Sequence, residues 1–452
     1  MSCQICINSF TKRDRKKVTC PSCDYVSCAT CVQTYLTTTI ETPHCMSCRK
    51  SFSRKFMIDM CGKSYMTNEY KKHRENVLFN FEKALCPSTQ DDVKIFVTRR
   101  ELSKELGTTT VMLSMMRRDL DHAIFTTRTI EDVTNRNFLR LQIARLESSI
   151  DVINFKLNNP DHTNDDRKEF IRGCPAPDCK GFLSKSLVCG LCDIRACAKC
   201  HEVKMSEDHQ CDPNSVETVK MLARDSKPCP KCASVIYKIG GCDQMYCVQC
   251  NTAFSWKTGK LCSGVIHNPH YFDYMRTRNL DTRNVLDVGC GGLPHIWDVQ
   301  VATGRYKRCA DILRSALHFM DIEMHRYNVN LTNPNRNLNL RILWMVNDLS
   351  DIEFKKKLQQ ADKDLNKRLE IGQVMSTFIQ VLSDTFNTMI ANADRDHLAV
   401  CQKFDVTYDE ISVYFNKILQ DISSTYDCSV PWIGLYGIKH LMSRNELKTM
   451  KV

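Results

Sequence analysis

Cys3-Gln-Ile-Cys6, Cys20-Pro-Ser-Cys23, Cys28-Ala-Thr-Cys31 and Cys45-Met-Ser-Cys48 put eight thiols into the first 48 residues, each pair with two residues between its members. A Cys-x-x-Cys turn presents both sulfurs to one metal ion, and four thiolates close a tetrahedral structural site with no position left open for catalysis. Eight thiols therefore make two sites. Two self-contained ribbons pairing neighbours in order are one arrangement. The gap of only four residues between Cys23 and Cys28 favours interleaving instead.

Further along, Cys174, Cys179, Cys189 and Cys192 form one sequential tetrad, and Cys197, Cys200, His209 and Cys211 the next. His201 is the alternative to His209, but it abuts Cys200, where joint ligation strains the loop. Cys229-Pro-Lys-Cys232 and Cys247-Val-Gln-Cys250 then make a ribbon, with Cys242 between them. Zinc takes four ligands, so one of these five thiols is surplus. Gly240-Gly241 before it and Asp243-Gln244 after it describe an exposed turn, and an unligated thiol there is a candidate nucleophile. The competing reading makes Cys242 a small buried residue, or a ligand in place of one of the four.

The first eight cysteines resemble the RING family. The resemblance implies a cross-brace in which Cys3, Cys6, Cys28 and Cys31 bind one ion while Cys20, Cys23, Cys45 and Cys48 bind the other, with Cys23 standing where many RINGs carry histidine. It also implies a shallow apolar surface for a ubiquitin-conjugating enzyme, formed by Ile5, Tyr35 and Leu36; ordinary packing in a small core explains the same residues. The second pair of tetrads is similar to the in-between-RING domain. RING, in-between-RING, then a ribbon with an extra cysteine after Gly-Gly is the layout of RING-between-RING ubiquitin ligases, and the ribbon resembles their catalytic domain. By that resemblance Cys242 accepts ubiquitin as a thioester from the conjugating enzyme and passes it to a lysine of a protein substrate. A scaffolding RING ligase, or an interaction module without a covalent intermediate, is the alternative.

The likeness covers residues 3–48 and about 172–257, with two departures. Gln244 stands where many relatives have histidine, a candidate general base. Ser255 and Thr258 occupy the place of a further Cys-x-x-Cys, so a second site in this module is either lost or rebuilt from Cys262, His267, His270 and Cys290. If not ligands, the two histidines are surface residues or a replacement base. Five zinc ions are expected, six with the rebuilt site.

Composition agrees with a folded, zinc-rich chain. Of 452 residues, 42% are hydrophobic, 25% charged and 27 are cysteine, which excludes collagen-like and disordered classes. No uncharged apolar run of about 18 residues is present, and the N-terminus lacks the apolar core of a secretory signal. An intracellular, reducing compartment, cytosol or nucleus, is expected, where paired cysteines bind metal in preference to forming disulfides. The formal charge of +11 points to nucleic acid only if every thiol is neutral. With five zincs on 19 thiolates it falls to about +2, and no finger-type recognition helix appears.

The fold class read from these features is multidomain zinc-stabilised α+β. Residues 1–55 form a RING-type module, 56–168 a helical spacer, 169–218 an in-between-RING module, 219–272 the catalytic ribbon and 273–452 a helical domain. In the spacer, Leu139, Ile143, Leu146, Ile150, Ile153 and Leu157 form one helical stripe. Val77, Leu78, Phe81 and Leu85 are its expected antiparallel partner, with a break at Gly107-Thr-Thr-Thr110. Ser350-x-x-Glu353 reads as a capping box opening a long helix. Val285-Leu-Asp-Val-Gly-Cys-Gly-Gly292 resembles the first motif of S-adenosylmethionine-dependent methyltransferases, but the helical periodicity that follows supplies no series of strands to complete that fold.

Overall fold

A computed structural model describes residues 2–126, 130–159, 170–184, 186–204, 206, 209–231, 235–237, 244–247, 252–261, 292–328, 335–393 and 396–449. The chain divides into two compact units, Met1–Leu78 with Pro269–Asn333 and Lys355–Val452, and Phe79–Asn268 with Pro334–Phe354.

In the first unit, β1 (Lys17–Thr19) pairs antiparallel with β2 (Val26–Cys28), which leads directly into α1 (Ala29–Thr38). Helix α2 (Arg54–Cys61) is capped by Ser53, whose Oγ accepts from the Phe56 amide at 3.2 Å, and the short α3 (Lys63–Thr67) follows it. Val18, Ala29, Val32 and Leu36 form a small core with Met57, Met60 and Tyr65. Leu36 is only 1% exposed, which corrects its assignment to a docking surface. Spaced four residues after Val32, it falls on the same inward face of α1.

The C-terminal part of this unit is a helical bundle with a hairpin. It contains α4 (Glu69–Thr126) up to Leu78 and, after it in the chain, α7 (Ile296–Ala302), α8 (Lys307–His318), α10 (Asp351–Ala391), α11 (His397–Tyr426), the hairpin β9 (Val430–Gly434) and β10 (Gly437–Met442), and α12 (Arg444–Thr449). Phe378, Leu382, Phe386, Phe404 and Leu419 are core residues. The amide of buried Asn416 brackets Ile433, donating to its carbonyl at 2.8 Å and accepting from its N–H at 2.9 Å, which fixes the hairpin on α11. Arg74 forks onto Asp362 through two hydrogen bonds of 3.1 and 2.8 Å. The start of α2 is held by Glu370, which accepts from the Arg54 amide and from the Tyr426 hydroxyl. The first metal-ligand module thus shares a unit with C-terminal helices far from it in sequence.

The second unit is organised along α4 from Phe79 onward. The helix runs unbroken through Gly107–Thr110, against the expected break. Thr109 and Thr110 donate to the carbonyls of Glu105 and Leu106 at 2.8 and 2.7 Å, so their hydroxyls are satisfied inside the helix and do not compete with it. Helix α5 (Ile130–Asn158) follows, with Ile143 and Ile153 of its stripe buried. Arg117 reaches back to Glu147 at 2.6 Å, so α5 lies along the later part of α4. The expected partner set is therefore wrong: Phe81 and Leu85 pack elsewhere, against Cys229, Cys247 and Phe254.

The remaining elements of this unit are short: β3 (Phe170–Gly173) with β4 (Phe182–Ser184), α6 (Pro213–Asp225), β5 (Ser226–Pro228) with β6 (Val235–Tyr237), β7 (Gln244–Cys247) with β8 (Thr252–Ser255), and α9 (Leu338–Met345). Phe79, Trp344 and Phe354 meet ring to ring at 5.4–5.9 Å. Beside them Arg341 pairs with Glu82 at 2.6 Å, both buried. Ser350 and Glu353 bond reciprocally, as a capping box should. Among the described residues no helix is long and apolar enough to cross a membrane.

Candidate metal centres and the surplus thiol

Four groups of side chains converge so that their ligand atoms lie within 4.8 Å of one another: Cys3, Cys6, Cys28 and Cys31; Cys20, Cys23, Cys45 and Cys48; Cys174, Cys179, Cys189 and Cys192; and Cys197, Cys200, His209 and Cys211. In the first module the pairs interleave. Sulfur–sulfur distances are 3.9 Å for Cys3–Cys31 and Cys6–Cys28, and 3.8 Å for Cys20–Cys48 and Cys23–Cys45. In the other two groups they are 3.6–3.7 Å, and Cys200 Sγ stands 3.1 Å from His209 Nε2. A disulfide needs about 2.05 Å, whereas bonds of about 2.3 Å to a central zinc give a tetrahedron whose edge is about 3.8 Å. The donor sets and spacings fit zinc.

Backbone geometry prepares each centre. The leading sulfur of a turn accepts amide hydrogens, as Cys3 does from Ile5 at 3.4 Å and Cys28 at 3.2 Å, and Cys197 from Lys199 at 3.4 Å. Burial pushes the Cys3 thiol up, but the amides of Cys6, Ile5 and Cys28 outweigh it and hold it down to about 6. The amides of Cys200 and Lys199 hold Cys197 down to about 7. Burial pushes Cys45 up to about 12 and Cys174 up to about 11. Neighbouring thiols so close cannot all ionise unaided; a divalent cation removes that conflict by displacing their protons.

Four of these turns, those ending at Cys6, Cys48, Cys192 and Cys200, also share a backbone signature that the cysteine count alone did not reveal. The residue directly after the second cysteine is left-handed: Ile7 (φ 61°), Arg49 (60°), Asp193 (54°) and His201 (60°). Its amide bonds the carbonyl of the first cysteine at 2.9–3.2 Å, and a one-residue β-bridge closes the loop, as between Ser2 and Ser9 or Ala196 and Val203. His201 is thus committed to the turn, with Nδ1 facing Arg172 at 3.0 Å, while His209 joins the cluster.

The stretch from Ser255 repeats this signature without thiols. Gly259 is left-handed at φ 68°, its amide bonds the Ser255 carbonyl at 2.8 Å, and Phe254 bridges Leu261. Ser255 Oγ accepts from the Thr258 amide at 3.2 Å. Hydroxyl and glycine close the turn where a metal would otherwise do so, and neutral hydroxyls are poor zinc ligands.

Of the ribbon cysteines, Cys229 follows β5 and Cys247 ends β7, both essentially fully buried in a core with Phe254, Ala84 and Leu85. Lys227 donates from Nζ to the Trp256 carbonyl at 2.7 Å. Cys232, Cys250 and Cys242, like Cys262, His267, His270, Cys290 and most of the methyltransferase-like motif, lie outside the described residues. Of the candidate docking residues, Ile5 is 43% exposed and Leu36 is core. Tyr35 is half-buried, its hydroxyl hydrogen-bonded to His44 Nε2.

No family model and no solved structure matches this chain. The chain is similar to an uncharacterized protein, 073L, of Frog virus 3, with 33% identity over 96 residues, 21% of this chain and 30% of the relative. It is also similar to E3 ubiquitin-protein ligase RNF19A of Homo sapiens, with 30% identity over 22% of this chain and 15% of the relative. Probable E3 ubiquitin-protein ligase ARI10 of Arabidopsis thaliana matches at 27% identity over 36% of this chain and 34% of the relative. Each match spans well under half of the relative's length. By its clustered cysteines and by these partial likenesses, the chain carries zinc-finger-type modules similar to parts of E3 ubiquitin-protein ligases.

Proposed function

We propose that this chain is a RING-between-RING ubiquitin ligase, with Cys242 as its acceptor thiol. Residues 1–55 recruit a ubiquitin-conjugating enzyme through a surface that includes Ile5 and Tyr35. Residues 169–218 and 219–272 form the in-between-RING and catalytic modules. Five zinc ions are structural, the fifth held by Cys229, Cys232, Cys247 and Cys250, and they fix the loops around them without entering the reaction.

The observation that carries this reading is the surplus thiol. Cys229 and Cys247 are buried at the turn ends of two hairpins, as ligands of one ion are. Cys242 falls in the connection between those hairpins, outside both Cys-x-x-Cys turns. Its thiolate attacks the thioester carbonyl carbon of the charged conjugating enzyme, forming a new C–S bond as the enzyme's thiolate leaves. A neutral substrate amine then attacks that carbonyl, an amide forms, Cys242 departs as thiolate and the amine's proton passes to a base. Exchange between thioesters is nearly isoenergetic, so positioning and thiolate fraction are what the protein must supply. Gln244 cannot serve as that base, so the base comes from another residue.

The test is direct. Charged conjugating enzyme is incubated with wild type and with Cys242→Ser, and a thiol-sensitive ubiquitin adduct on this chain is sought. An adduct on wild type that is absent from the variant supports the mechanism. An equal adduct on both, or none on wild type while free lysine is still discharged, favours a scaffolding RING ligase.

A further inference from the structure

Helix α5 carries a second apolar stripe on the face away from Ile143 and Ile153. Phe138, Leu141, Val152 and Phe155 are 57, 52, 50 and 68% exposed, and with Arg145 and Ser148 they recur at spacings of 3, 4, 3, 4 and 3. That is the seam of a heptad repeat, with Phe138, Arg145 and Val152 at one core position and Leu141, Ser148 and Phe155 at the other. A helix apolar on two opposite faces is ordinarily covered on both.

We propose that this face of α5 is a dimerisation seam whose occupant is the same helix of a second copy, running antiparallel. The pairing follows from the residues themselves. Turned about a twofold axis between Arg145 and Ser148, Phe138 meets Phe155 of the second copy, Leu141 meets Val152, and Arg145 meets the small Ser148. Asp151, one turn beyond Ser148 and exposed, then lies within reach of the Arg145 guanidinium of the second copy, giving two symmetric ion pairs. A parallel arrangement in register sets the two Arg145 charges against each other at the centre of the seam, which repulsion and desolvation disfavour. A polar layer of this kind costs stability while fixing orientation and register. The contact is isologous and closes at two copies.

The test uses the full zinc-loaded chain in sedimentation equilibrium, with wild type and Leu141→Lys/Phe155→Lys compared. Both positions are exposed, so circular dichroism and zinc content should be unchanged. The expected result is a concentration-dependent dimer weakened at least about 100-fold in the variant. A wild type that remains monomeric up to about 100 μM, or a dimer indifferent to the substitutions, overturns the proposal. A photo-crosslinking amino acid at position 141 reads the orientation: adducts to the peptide around Val152 of the second copy support it, and adducts between positions 141 exclude the antiparallel register.

Discussion

Replacing Arg341 by methionine should loosen the junction of α4 and α9, whereas replacing Arg341 and Glu82 together should not. Arg341 is 2% exposed and Glu82 5%. The guanidinium donates to Glu82 Oε2 at 2.6 Å and to Thr89 Oγ1 at 3.1 Å, and Asn337 Nδ2 donates to Glu82 Oε1 at 2.6 Å. Removing the guanidinium leaves a buried carboxylate with its amide partner but no countercharge. Breaking a buried pair from one side costs about 3–5 kcal/mol, while exchanging both partners for apolar groups of similar volume is close to neutral or stabilising. The asymmetry arises because the pair's attraction largely offsets two desolvation penalties, and the single variant keeps one penalty without the attraction. A loss of about 4 kcal/mol raises local opening by roughly a thousandfold. Hydrogen–deuterium exchange of the intact chain, read on peptides covering residues 79–93 and 338–345, measures this without assuming two-state unfolding of a multi-module protein. Arg341→Met should lose protection there, and Arg341→Met/Glu82→Leu should recover most of it. Equal loss in both variants would show that the guanidinium acts through packing alone and would refute the electrostatic argument.

Leu36→Ala should cost about 2–5 kcal/mol in its well-packed site and speed zinc release from the first module in a chromogenic chelator assay, whereas exposed Ile5→Ala should retain zinc and, under the proposed function, lose only affinity for a conjugating enzyme; identical zinc kinetics in the two variants would contradict their placement. Ser255→Ala/Thr258→Ala should leave the zinc content, measured by elemental analysis, at about five ions per chain, because that turn closes through hydroxyls. Six ions in wild type would favour the rebuilt site at Cys262, His267, His270 and Cys290. Burial holds the Glu370 carboxyl above its ordinary range, opposed in part by the Arg54 amide and the Tyr426 hydroxyl. The native state therefore binds its proton more tightly than the unfolded chain, so its contribution is fully present below the ordinary carboxylate range and is lost as pH rises through the elevated value. Glu370→Gln should flatten that part of the thermal-stability profile, and an unchanged slope would assign the dependence to other groups.

Much of the first module was legible because metal-ligand chemistry writes itself into spacing. Two-residue gaps and a four-residue separation between Cys23 and Cys28 narrow the arrangements to interleaved or sequential, and the choice of His209 over His201 follows from what a turn beside Cys200 can reach. The left-handed residues that follow Cys6, Cys48, Cys192 and Cys200 carried no compositional mark: Ile7, Arg49, Asp193 and His201 share only a position. The thiol-free turn at Ser255–Gly259 was visible in the sequence only as a missing pair. Its retained hydrogen bonds appear when the backbone is followed atom by atom.

Sequence by itself determined which residues could hold metal, the apolar stripe of α5 and the cap at Ser350, because ligand valence, helical period and capping are local properties of neighbouring residues. Tertiary structure alone decided that Leu36 faces inward, that α4 passes through Gly107–Thr110 without a break, and that Phe81 and Leu85 seat the ribbon of Cys229 and Cys247 and do not meet α5. Periodicity tells a helix that it has an apolar face but not which partner will cover it. That choice is made between segments far apart in the chain, by whichever pairing buries the most surface while leaving the fewest polar groups unmet.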